Sequence, residues 1–143
     1  MKSGPHTYSY RKIINARPRY GTVVLELRPI KGPSQVVDTC SRNMMGTSEN
    51  LWKEAALEAI KSILETYTFS SPAEVILHDV MGIKVDTFPS HIEAAVVIGI
   101  FDLMESPLSP TDIEMLDEFV GHNSGWDLIP DFRKLPLTKS KKS

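Results

Sequence analysis

A run of apolar residues at helical spacing between positions 47 and 67 is the strongest structural signal in the chain. The apolar side chains recur three or four residues apart, at Trp52, Ala56, Ile60, Ile63 and Tyr67. Charged residues fall mainly between them, so the segment predicts an amphipathic helix with one buried face. Thr47 or Ser48 can cap its start, and Glu49 would lie in the positive first turn.

Alternation with a period of two predicts the strands against which this helix packs. Val23, Leu25 and Leu27 alternate with more polar positions in residues 21–28, as in a half-buried strand. Residues 8–14 are also rich in β-forming residues, so the two segments predict an antiparallel hairpin. Its connection, residues 15–20, is longer than a tight turn.

Three shorter segments, residues 35–40, 73–79 and 83–86, predict further strands. We expect Trp52, Ile60 and Leu64 of the helix to be buried against the 23–27 face and the 75–77 region of this sheet.

Two more helices follow in the second half of the chain. Ser90 and Glu93 have the spacing of a capping box, and residues 94–104 read as a buried helix, although their β-branched run also suits a buried strand. Residues 110–120 predict a last helix, with Ser109 as its cap and Gly121 past its end.

The chain therefore divides into four stretches on sequence grounds. We expect a flexible amino terminus (1–7), one domain (8–121), an ordered strap that docks Trp126 (122–136) and a disordered basic tail (137–143).

Composition limits which cellular compartment and which class of protein fit this chain. Cys40 is the single cysteine among 143 residues, so no intramolecular disulfide forms, and a reducing, cytoplasmic location is expected. The most apolar stretch, residues 94–104, is too short to span a bilayer, and residues 1–10 hold no apolar signal region. We expect no membrane partner.

Charge is distributed unevenly along the chain. Residues 1–31 carry seven basic residues and one acid, residues 32–131 carry four basic residues and seventeen acids, and residues 132–143 carry five basic residues. Such a split is compatible with a basic surface aimed at phosphates, but charges on solvated faces also cluster in this way.

The stretch PRYGTVVLELRP, residues 18–29, resembles a segment of the fourth domain of translation elongation factor G. In that family an Arg-containing loop ends in Gln-Tyr-Gly and continues as an apolar strand closing in Glu-Pro. The order of a turn, a long helix, a strand, a tip loop and a second buried helix is similar too. HDVMGIKVDT, residues 78–87, occupies the position of the tip loop, with Asp79, Val85 and Asp86 matching.

The resemblance covers roughly residues 8–104 and implies an α+β fold. We expect a two-layer sandwich in which two helices pack on a mostly antiparallel four-stranded sheet, with an additional C-terminal helix. In the factor, the tips of this domain enter the decoding site of the small ribosomal subunit and touch RNA.

Carried over to this chain, the first tip loop matches at Arg17, Tyr20 and Gly21, and Arg19 replaces the family's Gln. Arginine binds phosphate in a bidentate manner and tyrosine stacks on unpaired bases. The candidate RNA-binding residues are Arg11, Lys12, Arg17, Arg19, Tyr20 and Lys84. The family's tip histidine falls at Ile83, which puts a translocase-like role in doubt.

Motifs for catalysis are missing from the sequence. The chain has no phosphate-binding Gly-x-x-x-x-Gly-Lys loop, no Gly-x-Ser-x-Gly elbow and no His-Glu-x-x-His helix. We expect a protein that is not an enzyme and that binds no cofactor, nucleotide or metal. His6, His78, His91 and His122 are expected to be surface or packing residues.

Two functions remain open. The first is a module that binds the ribosome or single-stranded RNA, which requires the basic candidates to share one face. The second is a protein-interaction or regulatory domain, with a homodimer as one form of it, that keeps the fold without RNA binding.

Overall fold

The chain folds into a four-stranded sheet covered by helices. This computed structural model describes residues 1–40 and 47–142, with side chains described from Glu49 onward in the first helix. The elements in chain order are β1 (His6–Ile14), β2 (Arg17–Pro29), β3 (Gln35–Asp38), α1 (Thr47–Thr66), β4 (Ala73–Met81), α2 (Pro89–Leu103), α3 (Pro110–His122) and a 3-10 turn (Phe132–Lys134).

The sheet has the strand order β1-β2-β4-β3. The β1–β2 and β2–β4 pairs are antiparallel, and β3 pairs with β4 in parallel. Helix α2 packs against β1 and β2, and α1 packs against β3 and β4. The predicted α+β sandwich, with a mostly antiparallel sheet and an additional C-terminal helix, is confirmed.

The core forms where the stripe of α1 meets the sheet. Trp52, Ile60 and Leu64 are all buried and belong to one apolar cluster with the inward-facing residues of β2 and β4. The prediction of this core from the helical and strand periodicities is confirmed. The caps predicted at Thr47 and Ser48 concern side chains outside the described set.

The connection between β1 and β2 is tighter than predicted. Asn15 and Ala16 both have positive φ, 53° and 61°, and alone separate the strands. Two consecutive left-handed residues give a turn whose twist matches the strands it joins. The expected six-residue loop is therefore wrong, and Arg17, Arg19 and Tyr20 lie within β2.

Two further local predictions are wrong. Residues 83–86 form a turn instead of a strand, in which the Asp86 and Thr87 amides donate to the carbonyl oxygen of Ile83 at 2.9 and 2.8 Å. Gly121 lies inside α3, which ends at His122. The predicted cap of α3 is confirmed, because Ser109 Oγ accepts from the Asp112 amide at 3.1 Å.

Helix α2 is a helix and not a strand, but Ser90 does not cap it. The helix begins at Pro89, which lacks an amide hydrogen and suits the first helical position. The Phe88 amide donates to His91 Nδ1 at 3.0 Å, while the Ser90 hydroxyl bonds with the Ser124 hydroxyl at 2.8 Å. The predicted capping box is replaced by this histidine contact.

Both chain ends contact the domain. The Lys2 ammonium pairs with Asp102 at 2.9 Å, and the Thr138 amide and hydroxyl donate to the Asp112 carboxylate at 2.8 and 2.7 Å. Mobility of these ends in solution stays a prediction. Among the described residues, no helix combines the length and apolar character needed to cross a membrane.

Candidate nucleic-acid interface

The β1–β2 turn and the turn at residues 83–87 meet at one end of the domain. Thr87, which is buried, joins them: its hydroxyl donates to the Tyr20 carbonyl oxygen at 2.6 Å and accepts from the Ile83 amide at 2.8 Å. Lys84 is exposed on the second turn. We call this region the hairpin end, comprising residues 11–20 and 83–87.

Arg11 and Tyr20 lie on one face of the sheet at the hairpin end. They are opposite each other in the β1–β2 register, so their side chains project to the same side. The Arg11 guanidinium carbon lies 5.3 Å from the centre of the Tyr20 ring, a cation–π contact. Arg11 is exposed and Tyr20 is half-buried, so the pair is accessible to a ligand.

Lys12 and Arg19 lie on the opposite face, against α3. Arg19 Nη1 donates to the Asp117 carbonyl oxygen at 2.9 Å and to the Tyr10 hydroxyl at 3.3 Å. The Tyr10 hydroxyl donates to the Asp117 carboxylate at 2.8 Å, and Lys12 Nζ lies 3.7 Å from the same carboxylate. Burial raises the pKa of Tyr10, as does Asp117, so Tyr10 remains a neutral donor. These residues tie α3 to the sheet.

The six candidates therefore do not share one face. Arg11 and Tyr20 are on one side, and Lys12 and Arg19 are on the other beside Asp117. Arg17 follows the turn and is exposed, as is Lys84. The condition that all the basic candidates form a single surface clear of acids is not met, and the accessible set is Arg11, Arg17, Tyr20 and Lys84.

Gly21 of the matched Tyr-Gly pair has a packing role. A Cβ at this position would lie 2.8 Å from the carbonyl carbon and oxygen of His91 and 2.9 Å from the Ile92 amide nitrogen. Only glycine allows β2 to approach the start of α2 this closely.

His91 is a buried packing residue at the same end. Burial lowers its pKa to about 4, with the nearby Arg19 charge acting in the same direction. Its Nδ1 accepts from the Phe88 amide, so the neutral ring carries its proton on Nε2. His91 is therefore neutral at physiological pH.

A cavity of about 590 Å³ opens beside the Arg19 face of the hairpin end. It lies between the β1–β2 turn, the segment at residues 85–88 and the chain that follows α3, and we call it the tip cavity. The residues that line it include Arg17, Arg19, Asp86, Phe88 and Trp126.

Trp126 and Phe88 were not recognised as site residues from the sequence. Trp126 is 54% exposed, and its ring meets Phe88 edge-on with centroids 4.6 Å apart. The one sequence feature that could have indicated a site here is a tryptophan in a polar segment that contains glycine. Nothing in the local pattern indicates that the segment around Trp126 lies beside the β1–β2 turn.

Within residues 1–40 and 47–142, no group of His, Cys, Asp and Glu side chains is placed to hold a metal ion. His78 instead contacts Glu26 at 2.8 Å, and this contact, with Arg28, lowers the pKa of Glu26. Cys40 is a free, half-buried cysteine.

Comparison with known proteins adds information about the fold. No family model matches the chain, and no curated protein matches it. A crystal structure of a protein from Thermus thermophilus is similar, with a TM-score of 0.55 and 12% identity over 83% of this chain. The chain spans one fifth of that structure, 20% of its length. At this identity the likeness shows the fold alone.

Proposed function

We propose that this chain is a non-enzymatic RNA-binding module of the cytoplasm that acts on the ribosome or on other RNA with unpaired bases. In this proposal it is a counterpart of the fourth domain of elongation factor G. The observation that carries it is the Arg11–Tyr20 pair, which presents a guanidinium and an aromatic ring together on an exposed sheet face.

The two side chains offer complementary contacts to a single strand. The Tyr20 ring provides a stacking surface for an unpaired base, and Arg11 can bind the adjoining phosphate. Arg17 and Lys84 extend the positive charge around the hairpin end. Lys12 and Arg19 do not belong to the binding set on this face, because they lie on the opposite face of the sheet beside Asp117 and Tyr10.

We expect a modest affinity for RNA, with binding confined to the hairpin end. The chain has a net charge of -2, so there is no general attraction to polyanions, and binding depends on the few cations at the hairpin end. Ile83 occupies the place of the family's tip histidine, so the proposal does not include a role in translocation.

A protein-interaction function is the second candidate, and exposed apolar side chains at the same end favour it. Ile13 is 80% exposed and Val85 is 75% exposed. Ile13 projects from β1 on the same side as Arg11, because two residues separate them along the strand. A second copy of the chain or another protein would bury these side chains.

Three measurements separate the candidates. Co-sedimentation with ribosomes and fluorescence anisotropy with a labelled single-stranded RNA, at low and moderate salt, test the RNA function. Analytical ultracentrifugation of the wild-type chain and of Ile13→Ser tests self-association. The RNA proposal expects salt-sensitive binding by a monomer; a dimer that Ile13→Ser dissociates, with no RNA binding at low salt, supports the second candidate instead.

A further inference from the structure

We infer that the tip cavity binds one nucleotide of an unpaired RNA strand, with its phosphate on Arg17 and Arg19 and its base on Trp126. The inference rests on the proposed RNA-binding function and assigns a second contact, on the face opposite Tyr20. It departs from the sequence-based expectation of no nucleotide ligand, which came from the missing phosphate-binding loop.

The cavity offers two guanidinium groups to an anion. Arg17 is exposed and forms no ion pair within the described ranges 1–40 and 47–142. Arg19 is fixed by two hydrogen bonds through Nη1, which leaves its remaining donors available. A fixed guanidinium beside a free one is suited to a phosphate, because bidentate contacts need little further ordering.

Gly121 keeps the space beside Arg19 open. A Cβ at Gly121 would lie 3.1 Å from Arg19 Nη2, closer than ordinary van der Waals contact. Since Gly121 also lines the cavity, a side chain at this position would crowd the Arg19 guanidinium at the cavity wall.

Trp126 provides the aromatic surface. Phe88 contacts its ring edge-on, at an interplanar angle of 78°, and this contact orients the indole without covering both of its faces. More than half of the side chain remains exposed. A rigid, accessible aromatic ring beside two arginines fits a nucleobase joined to a phosphate better than it fits a simple anion.

Asp86 adds a specificity element. Asp86 lines the same cavity, and its negative charge would repel a phosphate, so the phosphate is directed towards the arginines. The carboxylate accepts hydrogen bonds from an exocyclic amino group, which adenine, guanine and cytosine carry and uracil does not. The volume of about 590 Å³ falls within the usual range for small-ligand sites.

The test is a nuclear magnetic resonance titration of the full chain that follows its backbone amide signals, which every variant retains, together with the indole N–H signals of its two tryptophans, assigned with Trp126→Phe. The probes are adenosine 5′-monophosphate, uridine 5′-monophosphate, adenosine, ribose 5-phosphate and N-acetyltryptophan, each at up to about 5 mM, since a dissociation constant on the order of 1 mM is expected. Leu128→Ala is the control, because Leu128 is an exposed apolar residue two positions from Trp126 and outside the cavity.

The inference expects adenosine monophosphate to shift the Trp126 signal, and adenosine, ribose phosphate and uridine monophosphate to bind more weakly. Arg17→Ala and Trp126→Ala should each weaken binding roughly fivefold or more, and Leu128→Ala should leave it unchanged.

Three results would overturn the inference. The first is that adenosine monophosphate causes no signal shift at the highest concentration, and the second is a shift that Arg17→Ala and Trp126→Ala leave unchanged. The third is that N-acetyltryptophan binds as tightly as adenosine monophosphate, which would indicate a site for aromatic carboxylates such as a peptide end. If adenosine monophosphate does not bind in the tip cavity while Tyr20-dependent binding of longer RNA persists, the inference is wrong and the proposed function stands without it. If the monophosphate binds and longer RNA does not, the tip cavity is a site for free nucleotides, and both its assignment to an RNA strand and the proposed function fail.

Discussion

Arg19 donates through Nη1 to the carbonyl oxygen of Asp117, 2.9 Å away on α3. This contact joins a residue of the second strand to a helix residue 98 positions later in the sequence. It gives Arg19 a structural role that its place in the tip motif does not indicate. The neighbouring Arg17 is free of such contacts among the described residues, which separates two arginines that look equivalent in sequence.

Replacing Arg19 by Ala should destabilise the fold, because the Tyr10–Asp117 contact loses its positive partner and α3 loses a tie to β2. We expect the free energy of unfolding to fall by about 1.5 to 3 kcal/mol, the usual contribution of hydrogen bonds to a charged group. Arg17→Ala is the matched control and should change the free energy of unfolding by less than about 0.5 kcal/mol. Urea denaturation measures both, and equal effects would contradict the assignment.

Gly21→Ala should also destabilise the domain. The new methyl group would meet the backbone of His91 at 2.8 Å, and a helix backbone cannot rotate away as a side chain can. We expect a loss of about 1 to 3 kcal/mol from overpacking. Gly125→Ala is the control, because its Cβ would meet Leu128 Cβ at an ordinary 3.4 Å; a tolerated Gly21→Ala would show that β2 and α2 are further apart than described.

Glu93 should make stability depend on pH. Both of its carboxyl oxygens are buried without a hydrogen-bond partner in the described chain. Burial, with the charges of Glu58 and Asp131, raises its pKa from 4.5 to about 9. The folded chain keeps a proton on Glu93 that the unfolded chain releases. The contribution of protonated Glu93 to the free energy of unfolding is therefore fully present below about pH 4.5 and is lost as pH rises towards 9.

Glu93→Gln removes this titration and should become more stabilising, relative to the wild type, as pH increases. Between about pH 5 and about pH 8 the difference in unfolding free energy should grow by roughly 4 kcal/mol, at about 1.4 kcal/mol per pH unit. The control is Glu114→Gln, because Glu114 is exposed on α3 and is not among the charges that raise the pKa of Glu93. A difference that stays constant across this range would mean that Glu93 is ionised in the folded protein.

The sequence predicts the elements of the fold better than it predicts the surroundings of the site residues. Helix α1, the β1–β2 pair and the sheet face of Val23, Leu25 and Leu27 follow from local periodicity, because burial repeats with the geometry of the element itself. The tight turn was missed since Ala16, unlike asparagine or glycine, rarely adopts positive φ. That turn sets the register.

Register in turn decides the face on which each basic residue lies. The pairing of Arg11 with Tyr20 and of Lys12 with Arg19 separates neighbouring residues onto opposite sides of the sheet. The partner of Arg19, Asp117, comes from a helix whose docking no local pattern specifies. The tip cavity was missed for the same reason, because it combines three segments that are distant in sequence.

The most direct test of the proposed function is the salt dependence of binding to a labelled single-stranded RNA, measured for the wild type and for Arg11→Ala, Tyr20→Ala and Arg28→Ala. Arg28 lies near the far end of β2, where it pairs with Glu26, and serves as the control. Affinity should fall with rising salt, with a logarithmic slope of roughly 0.7 per phosphate contact.

Arg11→Ala should reduce that slope by about one contact, and Tyr20→Ala should weaken binding by about 1 to 3 kcal/mol with the slope unchanged. Arg28→Ala should behave as the wild type. No binding by the wild type at low salt, or Tyr20→Ala binding as tightly as the wild type, would contradict the proposal that this face recognises unpaired RNA.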